Sequence, residues 1–286
     1  MFKIIGIVTS YYPNLDDLEK NIHSYLPWID QLIIWENTPD EQSVIDQLID
    51  RLHSDKVEIY STGKNEYLAF PFNETIRLAQ KQGYTHLLTM DQDSCFDPNH
   101  FQNYLNIVQQ SNIDPIAAFG PGLNLTNNFE ENIQEVPYVI TSGAIYPINI
   151  LIDLHLFNEE LAIDVVDIEY CVRSRNNGYK IVQINSIHLQ HKIGNIQKHW
   201  TGLIFNPYPA QRTYYYIRNT LWLWKHFPDV AQKQERRNFI RYKIIYRTLK
   251  IGFESDAFQK LLAIYTAIWH VYTGRLGKYD KFNTRR

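Results

Sequence analysis

The chain has 286 residues, 44% of them apolar and 21% charged. That is enough for one large domain or two small ones, and the balance excludes disordered and collagen-like chains. A net charge of −3 excludes a general polyanion-binding field, so no nucleic acid partner is expected. The two cysteines, Cys95 and Cys171, cannot form a disulfide framework and match no metal-ligand spacing, which favours a reducing, cytoplasmic setting.

The opening residues Met1 to Val8 have too short an apolar run for a signal peptide and no small-residue cleavage site after them, so they read as a strand. The apolar run over residues 3–9 ends in Thr9-Ser10-Tyr11-Tyr12-Pro13, after which Leu15, Leu18, Ile22 and Leu26 recur at helical spacing. A second buried strand, Gln31 to Trp35, stops at Glu36-Asn37-Thr38-Pro39, and Val44, Leu48 and Leu52 mark the next helix. A short strand is expected at Val57 to Tyr60 and a helix from Asn73 to Gln82, closed by Gly83. Thr85 to Met90 then forms a strand that runs straight into Asp91. A helix is expected near Pro98 to Gln109, strands near Ile116 to Phe119 and Lys180 to Ile184, and a Gly/Asn-rich loop at Gly120 to Asn128.

This alternation predicts an α/β fold with a Rossmann-like, mostly parallel sheet and helices on both faces. Residues from Arg212 onward are aromatic and basic at helical spacing, so residues 1–210 are expected to form the catalytic domain and 211–286 a helical C-terminal extension. Within it, the segment 236–253 sets Phe239, Tyr242, Ile245, Tyr246, Leu249 and Phe253 on one arc and Arg236, Arg241, Lys243, Arg247 and Lys250 on others. Such a basic amphipathic helix docks on the protein's own core or lies on an anionic membrane, and both readings stand. The apolar stretch Leu261 to Tyr272 is shorter than the roughly 20 residues a membrane-spanning helix needs. The 20 tyrosines suit surfaces that handle sugars, bases or partners, with compositional bias as the alternative.

Ligands of open α/β sheets bind outside the carboxyl ends of the strands, which directs attention to Thr9/Tyr11, Glu36/Asn37 and Asp91/Asp93. Two carboxylates two residues apart, in Asp91-Gln92-Asp93-Ser94, suit a Mg²⁺ or Mn²⁺ ion bridging a diphosphate; a solvated turn that caps the following helix is the alternative. The segment Asp164-Val165-Val166-Asp167-Ile168-Glu169 holds three acids. At the start of a helix, Asp167 falls in the first turn, where the macrodipole favours the anion that a general base requires. Either His188 or His191 has an imidazole able to complete a metal shell begun by Asp93. Arg212 and Arg218, six apart and flanked by tyrosines, are suited to bidentate phosphate contact; one of them is expected to hold the leaving group and the other to pack locally, with a surface helix stapled by tyrosines as the alternative.

The ordered set resembles the family 2 glycosyltransferases of the GT-A fold, and within them the rhamnosyltransferase-like group. The resemblance rests on Thr9, Asn65-x-x-x-Ala69-x-x-x-Asn73, Asp91-Gln92-Asp93-Ser94, Thr141-Ser142-Gly143, Asp164-x-x-Asp167-x-Glu169-x-x-x-Arg173, His191-x-x-Gly194 and Tyr215-Tyr216-x-Arg218-Asn219. It implies that Thr9, Tyr11, Glu36, Asn65 and Asp91 line the nucleotide pocket. Asp93 and His191 would hold Mn²⁺ or Mg²⁺, and Arg212 and Arg218 would face the diphosphate. Asp167 would be the catalytic base, and Ser142, Gly143, Asp164 and Glu169 would border the sugar or acceptor. Glu36-Asn37 stands where the family usually has Asp-Asn.

The activity so implied is inverting transfer of a sugar, rhamnose from dTDP-rhamnose, to a glycan or lipid-linked acceptor in cell-surface polysaccharide synthesis. It would occur in the cytoplasm or at the inner face of the membrane. Two other readings place the same residues differently. A haloacid dehalogenase-type phosphatase uses a similar aspartate pair, but near its first strand; a non-catalytic sugar- or nucleotide-binding protein would keep the fold and lose the acids. A nucleotidyltransferase would need a Gly-rich loop after the first strand, where this chain has Thr9 to Pro13.

Overall fold

The structure is a computed structural model that describes residues 2–97, 100–111, 115–123, 132–191, 197–198, 204–205, 208–251 and 256–282. The chain divides into two compact units, one of residues 1–157 and 170–192, the other of 158–169 and 193–286. A division at residue 210 would separate residues 158–165 from the side chains that hold them.

The first unit starts as the apolar runs dictate. Strand β1 (Ile4–Ser10) is followed by α1 (Leu15–His23), β2 (Gln31–Glu36), α2 (Asp46–Leu52), β3 (Val57–Ser61), α3 (Ala69–Gln82) and β4 (His86–Asp91). Helix α1 starts where Asn14 Oδ1 accepts the backbone N–H of Asp16 and of Asp17, which satisfies two of the donors a helix leaves open. Helix α3 begins four residues before the expected Asn73 and stops at Gly83, which sits at φ +75°, where a glycine caps without a side-chain penalty. Next come β5 (Ser94–Phe96), α4 (His100–Gln110), β6 (Ile116–Leu123), β7 (Ile133–Glu135), β8 (Ala144–Pro147), α5 (Ile148–Asp153), α6 (Val166–Asn176), whose first four residues belong to the second unit, and β9 (Lys180–His191). The strand expected over Lys180 to Ile184 thus runs on to His191.

The expected mostly parallel sheet is corrected to a mixed one of nine strands. Its order is β3-β2-β1-β4-β8-β6-β9-β5, with β7 on β9. The first four strands pair in parallel. Strand β8 then joins antiparallel to both β4 and β6, while β6 and β9 are parallel and β5 and β7 run antiparallel to β9. An apolar run buried on both faces is compatible with either direction, so only the βα alternation of the first half carried directional information.

Alternate strand residues point to opposite faces. Ile4, Val8, Leu32, Ile34, Leu88 and Met90 share a core with Leu18 and Ile22 of α1, Leu48 and Leu52 of α2, and Phe101 and Tyr104 of α4. Helix α3 packs on β1 and β4 and buries Phe72, Ile76 and Ala79. Tyr146, Phe157 and Tyr170 form an edge-on aromatic cluster, and Phe157 also packs against Phe72. Several tyrosines are therefore core residues whose hydroxyls close buried carbonyls: Tyr104 donates to Phe119 O and Tyr170 to Ala117 O. Others, Tyr11, Tyr12, Tyr265 and Tyr272 among them, are exposed.

The second unit holds β10 (Gln197–Lys198) paired with β11 (Ile204–Phe205), α7 (Ala210–His226), α8 (Lys233–Phe239), a π-helical turn over Ile240–Ile245, α9 (Tyr246–Lys250) and α10 (Ala257–Thr273). Helices α7 and α10 pack on each other. The π turn inserts an extra residue into the register of the 236–253 segment. Of its expected apolar arc, Tyr242, Ile245 and Tyr246 are exposed. No helix among the described residues is long and apolar enough to cross a membrane.

Candidate functional site

Three adjacent parallel strands bring Glu36, Thr9 and Asp91 to one end of the first unit. Thr9 lies in register with Asp91 on one side and Trp35 on the other, and Ser10 lies opposite Glu36. The loops that follow are tied together by their own polar groups. Asn37 N–H donates to Ser10 O at 2.7 Å, and Tyr12 N–H donates to Thr38 Oγ1 at 2.7 Å.

The turn carrying the two aspartates is held from three directions. The Gln92 amide accepts from Tyr11 N–H at 2.8 Å and donates to Tyr11 O at 3.2 Å. Asn21 of α1 donates to Gln92 O at 2.9 Å. From beneath, Asp91 N–H points to Ser142 Oγ at 3.4 Å, and Gly143 N–H donates to Thr89 O at 2.8 Å. Thr89 Oγ1 in turn donates to the carbonyl of Thr141. Gly143 must be glycine here, because its φ is +78° and a Cβ would stand 2.9 Å from Pro121 Cγ. Ser142 and Gly143 therefore brace Asp91, a role that motif reading alone did not show.

Asn65, half-buried, closes a local turn by accepting Tyr67 N–H at 2.8 Å. Asn37 spans the gap to that loop: its Nδ2 donates to Tyr67 O and its Oδ1 accepts Glu66 N–H, both at 2.8 Å. Glu36 departs from the expected base contact. It is 1% exposed, and its carboxylate accepts from Thr38 N–H at 2.6 Å, Ser43 Oγ at 3.3 Å and Ser10 Oγ at 3.5 Å. A carboxylate enclosed by three protein donors organises the loop rather than presenting itself to a base.

Asp93 is exposed at the tip of the turn, directly before β5. The β5·β9 ladder sets Ser94 opposite His191, so the backbone places the histidine beside the aspartate turn; the His191 side chain lies outside the described residues. A carboxylate oxygen and an imidazole nitrogen are a donor set that suits Mn²⁺ and leaves positions for diphosphate oxygens. Among the described residues no group of three His, Cys, Asp or Glu converges as a complete protein cage. His188 is half-buried and packs against His100, with ring centroids 6.0 Å apart.

In the second unit, residues 162–165 make a strained approach to α6. Ala162, Asp164 and Val165 all lie at positive φ, 61°, 59° and 70°. A β-branched residue in the left-handed region is costly and persists only when its surroundings impose it. Here Asn219 Nδ2 donates to the carbonyls of Leu161, Ile163 and Asp164 at 2.8–2.9 Å. Asp167 follows in the first turn of α6, half-buried, with Oδ1 accepting Ile168 N–H at 2.8 Å. Glu169 is buried.

Arg218 is corrected from diphosphate ligand to internal staple. It is fully buried, and all five of its N–H groups have acceptors in the same unit. Nε donates to Asn219 Oδ1 at 2.8 Å, Nη1 to Gly277 O at 2.6 Å and Tyr214 Oη at 3.3 Å, and Nη2 to Glu160 O at 2.8 Å and Leu161 O at 3.3 Å. Arg212 is half exposed and forks onto Asp164, Nη2 to Oδ1 at 2.5 Å and Nε to Oδ2 at 3.2 Å. The expected diphosphate cation and the expected acceptor carboxylate thus neutralise each other in this state. Gln92 and Asn219 stand in the quoted motifs without an assigned role and Asn21 in none; all three organise the chain through backbone groups distant in sequence, which a local pattern does not show.

No family model matches the chain. Among curated proteins it is similar to the dTDP-rhamnosyl transferase RfbF of Shigella flexneri, with 25% identity over 274 residues, 88% of this chain and 90% of that protein. Among solved structures it is similar to S. aureus TarS 1-349 in complex with UDP-GlcNAc, at a TM-score of 0.57 and 12% identity over 96% of this chain and 93% of that one. It is also similar to GalNAc-T7 with UDP, GalNAc and Mn²⁺, at a TM-score of 0.58 and 11% identity over 85% of this chain; the match spans about half of that longer chain, 54%. The mixed α/β sheet flanked by helices, with its helical C-terminal segment, is thus a fold shared with nucleotide-sugar glycosyltransferases and is GT-A-like.

Proposed function

We propose that this chain is a nucleotide-sugar-dependent glycosyltransferase that transfers rhamnose from dTDP-rhamnose, with inversion, to a glycan or lipid-linked acceptor of a cell-surface polysaccharide. The observation that carries the reading is the braced Asp91–Asp93 turn at the carboxyl end of β4, in register with Thr9 and tied to Tyr11. Similarity along most of the chain to a dTDP-rhamnosyl transferase supports the donor.

In this reading Thr9, Tyr11, Asn65 and Asp91 bind the nucleoside. Asp93 and His191 hold Mn²⁺ or Mg²⁺, which when bound offsets the charge developing on the departing diphosphate. Asp167 accepts the proton of the acceptor hydroxyl as it attacks the anomeric carbon; the N-terminal turn of α6 suits an anion there. Arg212, paired with Asp164 in the structure, is the side chain this reading assigns to the diphosphate.

The test is a thermal-shift panel of UDP, dTDP, GDP and CDP, each with and without Mn²⁺. Stabilisation by dTDP only with the metal is expected. Absence of any response would return the non-catalytic reading. Asp167→Asn is expected to keep dTDP binding and lose transfer, and wild-type turnover by that variant would remove Asp167 as base.

A further inference from the structure

Helix α10 is apolar on two opposite faces. One face, with Ala263, Ile264, Ala267 and His270, is buried in the unit whose helix α7 it packs against. The other carries Phe258, Leu262, Tyr265, Trp269 and Tyr272, spaced 4, 3, 4 and 3 residues apart and so confined to roughly 80° of arc. This second face is open: Phe258 is 76% exposed, Tyr265 and Trp269 61%, and Tyr272 80%. The only Lys, Arg, Asp or Glu on the helix, Lys260, lies on the buried side.

This exposed, largely aromatic stripe runs about 21 Å along one face of the helix. Its composition and charge indicate what covers it. Trp and Tyr join an apolar ring to a hydrogen-bonding edge and concentrate at lipid–water boundaries. The segment preceding the helix exposes Ile240, Tyr242, Ile245 and Tyr246 alongside Arg237, Arg241 and Lys243. Residues 233–286 contain thirteen Lys/Arg against four Asp/Glu, whereas residues 1–232 contain fifteen against twenty-seven. A cationic tail on an acidic body is complementary to an anionic lipid surface.

We propose that the outer face of α10, together with the cationic segment 233–250, is a docking surface for an anionic phospholipid bilayer, on which it lies without spanning. The inference stands apart from the transfer reaction, because it uses none of the residues assigned to donor or acceptor.

The experiment is co-sedimentation of the full chain with vesicles of phosphatidylcholine alone or mixed with phosphatidylglycerol, at low and high salt, with sedimentation velocity on the lipid-free protein. Binding to the phosphatidylglycerol vesicles at low salt is expected, with little to phosphatidylcholine. Tyr265→Ser/Trp269→Ser/Tyr272→Ser is expected to weaken it at least about tenfold. Arg237→Glu/Arg241→Glu/Lys243→Glu should abolish its salt dependence, and both variants should retain the wild-type melting temperature. No partition of the wild type at low salt, or equal partition of the triple aromatic variant, overturns the proposal. A wild-type dimer that the aromatic variant converts to monomer, without vesicle binding, overturns it in favour of a second copy.

Discussion

The side-chain amide of Gln92 holds the backbone of Tyr11 at both of its polar groups, accepting its N–H at 2.8 Å and donating to its carbonyl at 3.2 Å. Gln92 is the residue between the two aspartates, so the clasp welds the turn after β4 to the loop after β1. Its backbone carbonyl is engaged as well, by Asn21 of α1. The aspartate pair is therefore positioned by the residue it flanks, and a change at Gln92 tests that positioning without touching either carboxylate.

Gln92→Ala removes two hydrogen bonds, each contributing about 1 kcal/mol at most in a partly exposed setting. Metal-dependent dTDP affinity is expected to fall about fivefold to tenfold by isothermal titration calorimetry. Gln92→Glu keeps the acceptor and loses the donor, so an intermediate value is expected.

Arg218→Met removes the guanidinium that donates to Asn219 Oδ1, Gly277 O, Tyr214 Oη, Glu160 O and Leu161 O and should destabilise the protein by about 3 kcal/mol or more in urea unfolding. Arg218→Lys should rescue little, because an ammonium cannot reproduce a planar five-donor fork. A diphosphate ligand would give the opposite pattern, with stability unchanged and nucleotide affinity lost.

At Gly143 a Cβ meets Pro121, Phe96 and Leu189 while the backbone stays at φ +78°. Gly143→Ala is expected to cost about 1–3 kcal/mol, read as a lowered melting temperature. Because Gly143 follows Ser142, which underlies Asp91, metal-dependent nucleotide binding should weaken in the same variant.

Acid lowers stability through His86. Burial depresses its imidazole from 6.5 to about 4, so between those values the unfolded chain binds a proton that the folded chain refuses. Its contribution is full above pH 6.5 and is lost as the pH falls towards 4. In urea unfolding across that range, wild type should lose more stability than His86→Gln, and parallel pH profiles would refute the assignment.

Much of the first half of the fold was legible from apolar runs and their polar stops. Residues 3–9, 31–35 and 85–90 read as buried strands, and β1, β2 and β4 match them to within a residue or two. The aspartate pair likewise sits where a strand ends, because an apolar run that gives way to Asp-Gln-Asp-Ser must leave the core at that point. The antiparallel insertion of β8 between β4 and β6 was not legible, since hydrophobicity carries no strand direction.

Side-chain roles divide in the same way. In the first half of the chain, sequence alone determined residue type, the buried faces of α1 and α2 and the ends of β1, β2 and β4, because these follow from periodicity within a short window. Tertiary structure decided the partners. Arg218 and Glu160 O are 58 residues apart, and Gln92 and Tyr11 are 81 apart, beyond the reach of any local pattern. Glu36 and Arg218 both have the chemistry of ligand-binding groups. Burial beside protein donors and acceptors consumed that capacity, since a polar group taken from water must find its bonds inside the fold. Gln92, ordinary in composition, became the organiser of the site because the parallel pairing of β1 and β4 brought Tyr11 within its reach.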